Sequence, residues 1–300
     1  LNIKILLLFV CLSPGCIFNP AFAQAIKKDK GTINGTAFNF YYMLPKDKVA
    51  GIVVLLPGAG EKVKSIFNKT ALPALLAEKG FVTIIPEIHT LLYADKHTID
   101  ELDEILKTQL DKYHVEHFVI GGFSAGGAIA ARYAEYLVEN DRSSNLKGLI
   151  VVDGPLDLER IHASSERMII KCDGLIKKQG YSIKSQLEQA FGGLPNLKIE
   201  TYIKNSSFTA SAADGGNAKY LKKLPVRLYS EPDLKFVQDT YCQAFQLEDI
   251  NATDMEKLHY FLIDRGNAHS QYIATAGRGF HSWNIIDAPD CAAWVVKICR

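Results

Sequence analysis

No charge of one sign dominates this chain: Lys and Arg total 34 against 33 Asp and Glu over 300 residues. That balance excludes the basic field a nucleic-acid partner needs, and it gives no strong steering of charged substrates. No internal repeat, low-complexity tract or long charge run is present. No apolar stretch is long enough to span a membrane, which needs about 20 residues. No Cys-x-x-Cys occurs from residue 24 onward, so no zinc ribbon or thioredoxin-type motif is expected there. What remains is an ordinary globular composition, 48% hydrophobic and 22% charged, long enough for one α/β domain or two small ones.

The amino-terminal stretch has a different character. Lys4 precedes the apolar run Ile5 to Cys11, and Ala21-Phe22-Ala23 follows. A positive charge, a short apolar core and a small-x-small end make a secretory signal peptide over residues 1–23, cut before Gln24. The rival is a lipoprotein signal acylated at Cys16, which Gly15 suits and Ser13 and Pro14 do not. The expected location is therefore secreted or periplasmic.

Cleavage leaves Cys172, Cys242, Cys291 and Cys299 in an oxidising compartment, with three possible pairings. Cys291 and Cys299 fall eight residues apart in a terminal helical pattern. That is about 12 Å along a helix, too far to bridge. A disulfide is expected to join Cys172 or Cys242 to one of those two; four free buried thiols are the alternative.

Along the chain, apolar β-branched runs alternate with amphipathic segments. Strand periodicity appears at 38–43, and continuous buried strands at 51–56, 81–85, 118–120 and 149–152. Helical patterns fall at 70–79, ended by Gly80, and at 97–113. This alternation predicts a mostly parallel sheet with helices on both faces. Residues 157–224 interrupt it with helical patterns, including 182–191, and a Ser-rich loop. An excursion of that length predicts a cap or lid over the strand ends. Strands then resume at 226–229 and 271–274, with a helix at 253–264 between them. A last helix starts near Asp287, a good N-cap, with Pro289 in its first turn.

The chemistry-bearing stretch is Gly122-Phe123-Ser124-Ala125-Gly126, a G-x-S-x-G sequence between the strand at 118–120 and an Ala-rich helical run. That strand–turn–helix context is what a nucleophile elbow requires: a strained turn lifts the Ser124 hydroxyl above the sheet edge, and the glycines let strand and helix approach. Ser230-Glu231-Pro232-Asp233 follows the strand at 226–229. Gly277-Arg278-Gly279-Phe280-His281 follows the strand at 271–274. Both segments leave the carboxyl end of a strand, as Ser124 does, and ligands bind at that edge of open α/β sheets.

In this order of Ser, acid and His, over nearly all of residues 32–298, the chain resembles the α/β-hydrolases. The resemblance implies an α/β-hydrolase fold with an inserted cap at about 157–224. It implies a catalytic triad of Ser124, Asp233 and His281, and an oxyanion hole from the backbone N–H groups of Ala59 and Ala125. Pro57 stands where many members of the family carry His. Glu231 is a rival to Asp233, and Asp153 or Asp157, after the preceding strand, is a third option. Tyr93, Phe123, Tyr202, Phe208 and Trp283 are candidates for an apolar substrate site, with core packing the alternative for each. His89 and His97 are candidates for the pocket; His114 and His117 suggest at most a weak metal pair. The implied activity is serine hydrolysis of a small-molecule ester, or a thioester or amide, with no metal or organic cofactor. The other readings are a ligand-binding protein that has lost catalysis, and a lyase or peroxidase on the same fold.

Overall fold

The computed structural model describes residues 25–88 and 91–300. The expected signal peptide, with Cys11 and Cys16, and the pocket candidate His89 lie outside the described residues. Among the described residues, eight strands form one sheet. In chain order they are β1 (Ile26–Ile33), β2 (Thr36–Met43), β3 (Gly51–Leu56), β4 (Phe81–Pro86), β5 (Phe118–Phe123), β6 (Leu146–Val152), β7 (Val226–Ser230) and β8 (Ser270–Ala274). Their spatial order is β1-β2-β4-β3-β5-β6-β7-β8. β1 and β2 are antiparallel to their neighbours, and every pair from β4 to β8 is parallel. β1 is an edge hairpin strand that the sequence pattern did not announce, because its Lys-rich run lacks an apolar alternation.

The central strands are apolar throughout because both of their faces are covered. Every residue of β3, β4 and β5 is buried. Alternate residues of β3 serve opposite cores, as a period of two requires. Ile52, Val54 and Leu56 join the core that holds α3 (Lys96–Tyr113), α4 (Ala125–Glu139) and α9 (Ala252–Asp264). Val53 and Leu55 join the core that holds α1 (Val63–Lys69), α2 (Leu72–Glu78) and α10 (Ala288–Ile298). Asp95 caps α3 and Asp287 caps α10, each accepting a first-turn N–H.

Between β6 and β7 the chain makes α5 (Leu158–Lys171), α6 (Gly174–Phe191), α7 (Pro195–Asn205) and a 3-10 turn at Gly216–Leu221. This is the excursion expected at 157–224. Two buried carboxylates on the main domain anchor it. Asp254 of α9 accepts from the Leu156 and Asp157 N–H groups and binds the Arg160 guanidinium. Asp249 accepts from Ser164 Oγ and from Arg167. α8 (Leu234–Thr240) and the segment after it pack against the same helices: Met168, Cys172 and Ile176 meet Val237, Phe245 and Ile250.

The disulfide joins Cys172 to Cys242, with Cα atoms 5.8 Å apart, and Cys291 and Cys299 are free thiols. The expectation of a bridge to the terminal helix is corrected for a spatial reason. Cys291, on α10, faces the core with Cys299 packed beside that cluster, whereas Cys172 lies in the cap cluster with Val237 and Phe245. Among the described residues, no helix is long and apolar enough to cross a membrane.

Candidate active site

Ser124 sits between β5 and α4 with φ 53° and ψ −127°. A non-glycine residue rarely adopts this backbone, and here the packing around it imposes it. A Cβ built on Gly122 would lie 2.3 Å from the Gly126 carbonyl oxygen, and one on Gly126 would lie 2.3 Å from that of Pro57. Any side chain at either position would therefore push the turn open. The Ser124 N–H donates to the Val152 carbonyl at 2.8 Å, which ties the elbow to β6.

His281 lies on the loop after β8 with φ 51°. Its Nδ1 is 2.5 Å from Oδ2 of Asp153. Asp153 is the residue directly after β6, 2% exposed and with φ 47°. Its N–H donates to the Tyr229 carbonyl and its own carbonyl accepts from the Asn251 side chain, so its backbone is held on both sides. Among the described residues six non-glycines have positive φ, and Ser124, Asp153 and His281 are three of them. Backbone strain of about 1–3 kcal/mol per residue is thus concentrated where the three side chains are presented.

This pairing corrects the expected partner of His281. Asp233 is exposed, and its carboxylate accepts the Phe236 N–H as the N-cap of α8. The signal for that was in the sequence: an aspartate directly before Leu234-Lys235-Phe236-Val237 is an N-cap pattern. Asp157, likewise, caps α5 through Glu159 and Arg160 and accepts from the Ala210 N–H.

Glu231 is buried and serves the histidine loop differently. It accepts from Thr275 Oγ1 at 3.0 Å, the Arg278 N–H at 2.8 Å and the Gly279 N–H at 3.1 Å. Three donors on one carboxylate fold the loop that carries His281. The imidazole is further packed against the Phe123 ring, with centroids 4.7 Å apart.

Ala59, on the loop after β3, and Ala125, the first residue of α4, line the same cleft as Ser124 and His281. The Ala125 N–H belongs to the first turn of a helix, where amides have no intrahelical acceptor. Pro57 has no N–H, and that of Gly58 is taken by Glu61 at 2.8 Å. The cleft has a volume of about 560 Å³. Its walls beneath the cap are apolar, with Ile161 and Met168 of α5, Ile183 of α6, Val237 of α8, and Phe245 and Ile250 beyond it. Polar side chains line it as well, among them Glu61, Lys69, Gln179 and the mutually bonded Ser164 and Asp249.

Of the aromatic candidates, Phe123 and Trp283 line the cleft. Tyr202 and Phe208 are core residues, Tyr202 edge-on to Phe191 and Phe208 tilted against Phe261, and Tyr93 packs on Phe191. His97 pairs with Glu101 within α3, and His114 is the left-handed C-cap of that helix. Among the described residues, no group of three or more His, Cys, Asp or Glu could hold a metal ion.

Residues 92–215 match a family described as alpha/beta hydrolase of unknown function (DUF915). No curated protein sequence matches the chain significantly. Several solved structures share its architecture. One of two fungal esterases from Rhizomucor miehei is 13% identical with a TM-score of 0.60, over 92% of this chain and 84% of that one. An esterase from Pyrobaculum calidifontis is 15% identical with a TM-score of 0.60, over 91% and 86%. Carboxyl esterase 2 from the mycorrhizal fungus Tuber melanosporum is 15% identical with a TM-score of 0.58, over 95% and 87%. At these identities the likeness is one of fold. The fold is that of the α/β-hydrolases.

Proposed function

We infer that this chain is an exported serine hydrolase that cleaves a carboxylic ester through an acyl-enzyme. The observation that carries the reading is the His281–Asp153 pair, with His281 and a strained Ser124 lining one cleft. A serine hydroxyl is a weak nucleophile and needs a positioned base. Asp153 holds Nδ1, so Nε2 of His281 takes the Ser124 proton as Oγ bonds to the ester carbonyl carbon. The carbonyl oxygen becomes an oxyanion, which the Ala59 and Ala125 N–H groups stabilise by about 3 kcal/mol per donor. His281 then returns the proton to the leaving alcohol as the C–O bond breaks. Water repeats the sequence on the acyl-enzyme and releases the acid. Asp153 orients the imidazole and stabilises its cation without taking the proton.

The apolar wall beneath the cap supports an ester with an apolar acyl or alcohol group, since apolar surface placed against it is removed from water. The esterase descriptions of the structural neighbours agree with this reading. Export to an oxidising compartment rests on the sequence of residues 1–23, and the Cys172–Cys242 bridge is in keeping with it. The test is labelling of the chain with a fluorophosphonate, which phosphonylates an activated serine with loss of fluoride. Labelling is expected at Ser124 and absent in Ser124→Ala, together with a fall in ester kcat on the order of 10⁴ to 10⁶. Full ester hydrolysis by Ser124→Ala would sink this function.

A further inference from the structure

Glu61 follows the loop that carries Ala59, yet none of the roles above uses its carboxylate. Its side chain is 11% exposed. Oε2 accepts two hydrogen bonds, from the Gly58 N–H at 2.8 Å and from the Trp283 indole N–H at 3.1 Å. Oε1 accepts from Lys69 Nζ at 2.5 Å. The first bond fixes the peptide next to Ala59, and the second fixes the residue two places after His281. These loops leave β3 and β8, and the sheet places β5, β6 and β7 between those strands. No strand pairing therefore sets their separation. The contact is made across 222 residues of sequence by one oxygen atom.

The surroundings tighten the link. A Cβ on Gly58 would meet the Phe123 ring at 2.9 Å. That ring packs on both His281 and Trp283, the latter with centroids 5.5 Å apart. The loop after β3, the elbow residue Phe123 and the histidine loop thus form one packed unit, and Glu61 supplies its polar bonds. A carboxylate here has an electrostatic cost, because negative charge develops on the substrate oxygen beside Ala59. Lys69 is the counter-charge within bonding distance of Glu61, and it too lines the cleft.

We propose that Glu61 is a positioning residue that holds the oxyanion loop in register with the histidine loop, and that Lys69 neutralises it so that it does not oppose the oxyanion. The proposal rests on the hydrolase reading above. It makes a sign-dependent prediction that a bond of merely structural value does not. Glu61→Ala frees both loops and lowers kcat, while KM for a short ester stays within about threefold. The expected fall is about 30- to 100-fold, the range for a displacement on the order of 1 Å of a positioned group. Lys69→Met leaves the carboxylate uncompensated and lowers kcat about tenfold, less at high salt. Glu61→Gln keeps an oxygen for Gly58 and Trp283 but turns its amide toward Lys69. Glu61→Gln in the Lys69→Met background therefore raises kcat, back to within about threefold of the wild type.

The experiment measures kcat and KM for p-nitrophenyl acetate, and the rate constant of fluorophosphonate labelling at Ser124, in all four variants. Circular dichroism checks their folding. Restoration in Glu61→Gln/Lys69→Met supports the proposal, and the fall in Glu61→Ala supports it independently. A folded Glu61→Ala with kcat within twofold of the wild type overturns the positioning role. A double variant no faster than Lys69→Met overturns the neutralising role, and it decides the matter if Glu61→Ala does not fold. If the wild type itself is neither labelled at Ser124 nor active on the ester, the hydrolase reading fails and the proposal with it. That outcome is distinct from a change confined to the Glu61 and Lys69 variants.

Discussion

Asp153 reaches His281 across 128 residues of sequence, with 2.5 Å between its Oδ2 and the imidazole Nδ1. Asp233, on the neighbouring strand's loop, turns its carboxylate to the Phe236 N–H instead. Both residues follow a strand on the carboxyl edge of the sheet. What separates them is the chain after each one: Asp153 is held by Tyr229 and Asn251, and Asp233 starts a helix.

The first prediction compares these two aspartates. Asp153→Asn is expected to lower kcat by about 10⁴, because an amide cannot hold the imidazole tautomer that the proton transfer needs. Asp233→Ala is expected to leave kcat near normal and to cost about 1 kcal/mol of stability, the value of a lost N-cap. Kinetics near neutral pH and urea unfolding of both variants check this. A near-normal Asp153→Asn alongside a severely slowed Asp233→Ala would reverse the assignment.

Glu231 should act on the loop and not on the proton. Glu231→Gln loses the acceptor for one of its three donors, so kcat is expected to fall about tenfold, as for loss of a contact that orients a catalytic group. Amide exchange over residues 275–281 should speed up in parallel. Unchanged exchange with a large loss of kcat would mean that Glu231 takes part in the chemistry directly.

The cleft makes a prediction about acyl length. Each methylene placed in it removes apolar surface from water, worth about 0.8 kcal/mol or roughly fourfold in kcat/KM. A series of p-nitrophenyl esters from acetate upward should rise by up to that factor per carbon until the cleft is full. Ile161→Trp, which fills the wall beneath the cap, should cut the longer esters at least about tenfold and leave the acetate within about threefold. A flat profile in the wild type would assign the cleft no part in acyl selection.

Asp157 sets a pH dependence of stability. Burial, followed by the nearby Asp254 carboxylate, raises it from 3.8 to about 6. The folded state then holds a proton that the unfolded chain has released between those values. The contribution of Asp157 to stability is fully present below about pH 3.8 and is lost as pH rises to about 6. Between pH 4.5 and 7 it amounts to about 2 kcal/mol, at about 1.4 kcal/mol per pKa unit. Asp157→Asn keeps an oxygen for the Glu159 and Arg160 N–H groups and should lack this component. Urea unfolding at the two pH values should give a difference that is smaller in the variant by that amount in the stated direction. Identical differences would place the proton elsewhere.

Much of the site was legible before any tertiary contact was known. Ser124 was marked by its glycines and by the change from strand to helix. His281 was marked by its place after the final strand. Ala59 and Ala125 came from the resemblance to the α/β-hydrolases, and both line the cleft. The carboxylate that meets His281 was less legible because two adjacent strands, β6 and β7, each deliver carboxylates to the same edge. Chain order alone cannot say which one points at the imidazole. The N-cap pattern at Asp233 was the local signal that its carboxylate was already committed. Glu231 gave no such signal, since its three donors arrive from residues 44 to 48 positions away.

The sequence by itself determined the alternation of strands and helices, the place of the excursion after β6, and the elbow at Ser124. These depend on periods of two and 3.6, on caps and on glycine spacing, all read within a few neighbouring residues. Only the tertiary structure decided that Asp153 meets His281, that Cys172 bridges to Cys242, and that Glu61 joins Gly58 to Trp283. Each is a contact between residues far apart in the chain. The order of strands in the sheet and the packing of the cap bring those residues to one place, and no local pattern encodes either.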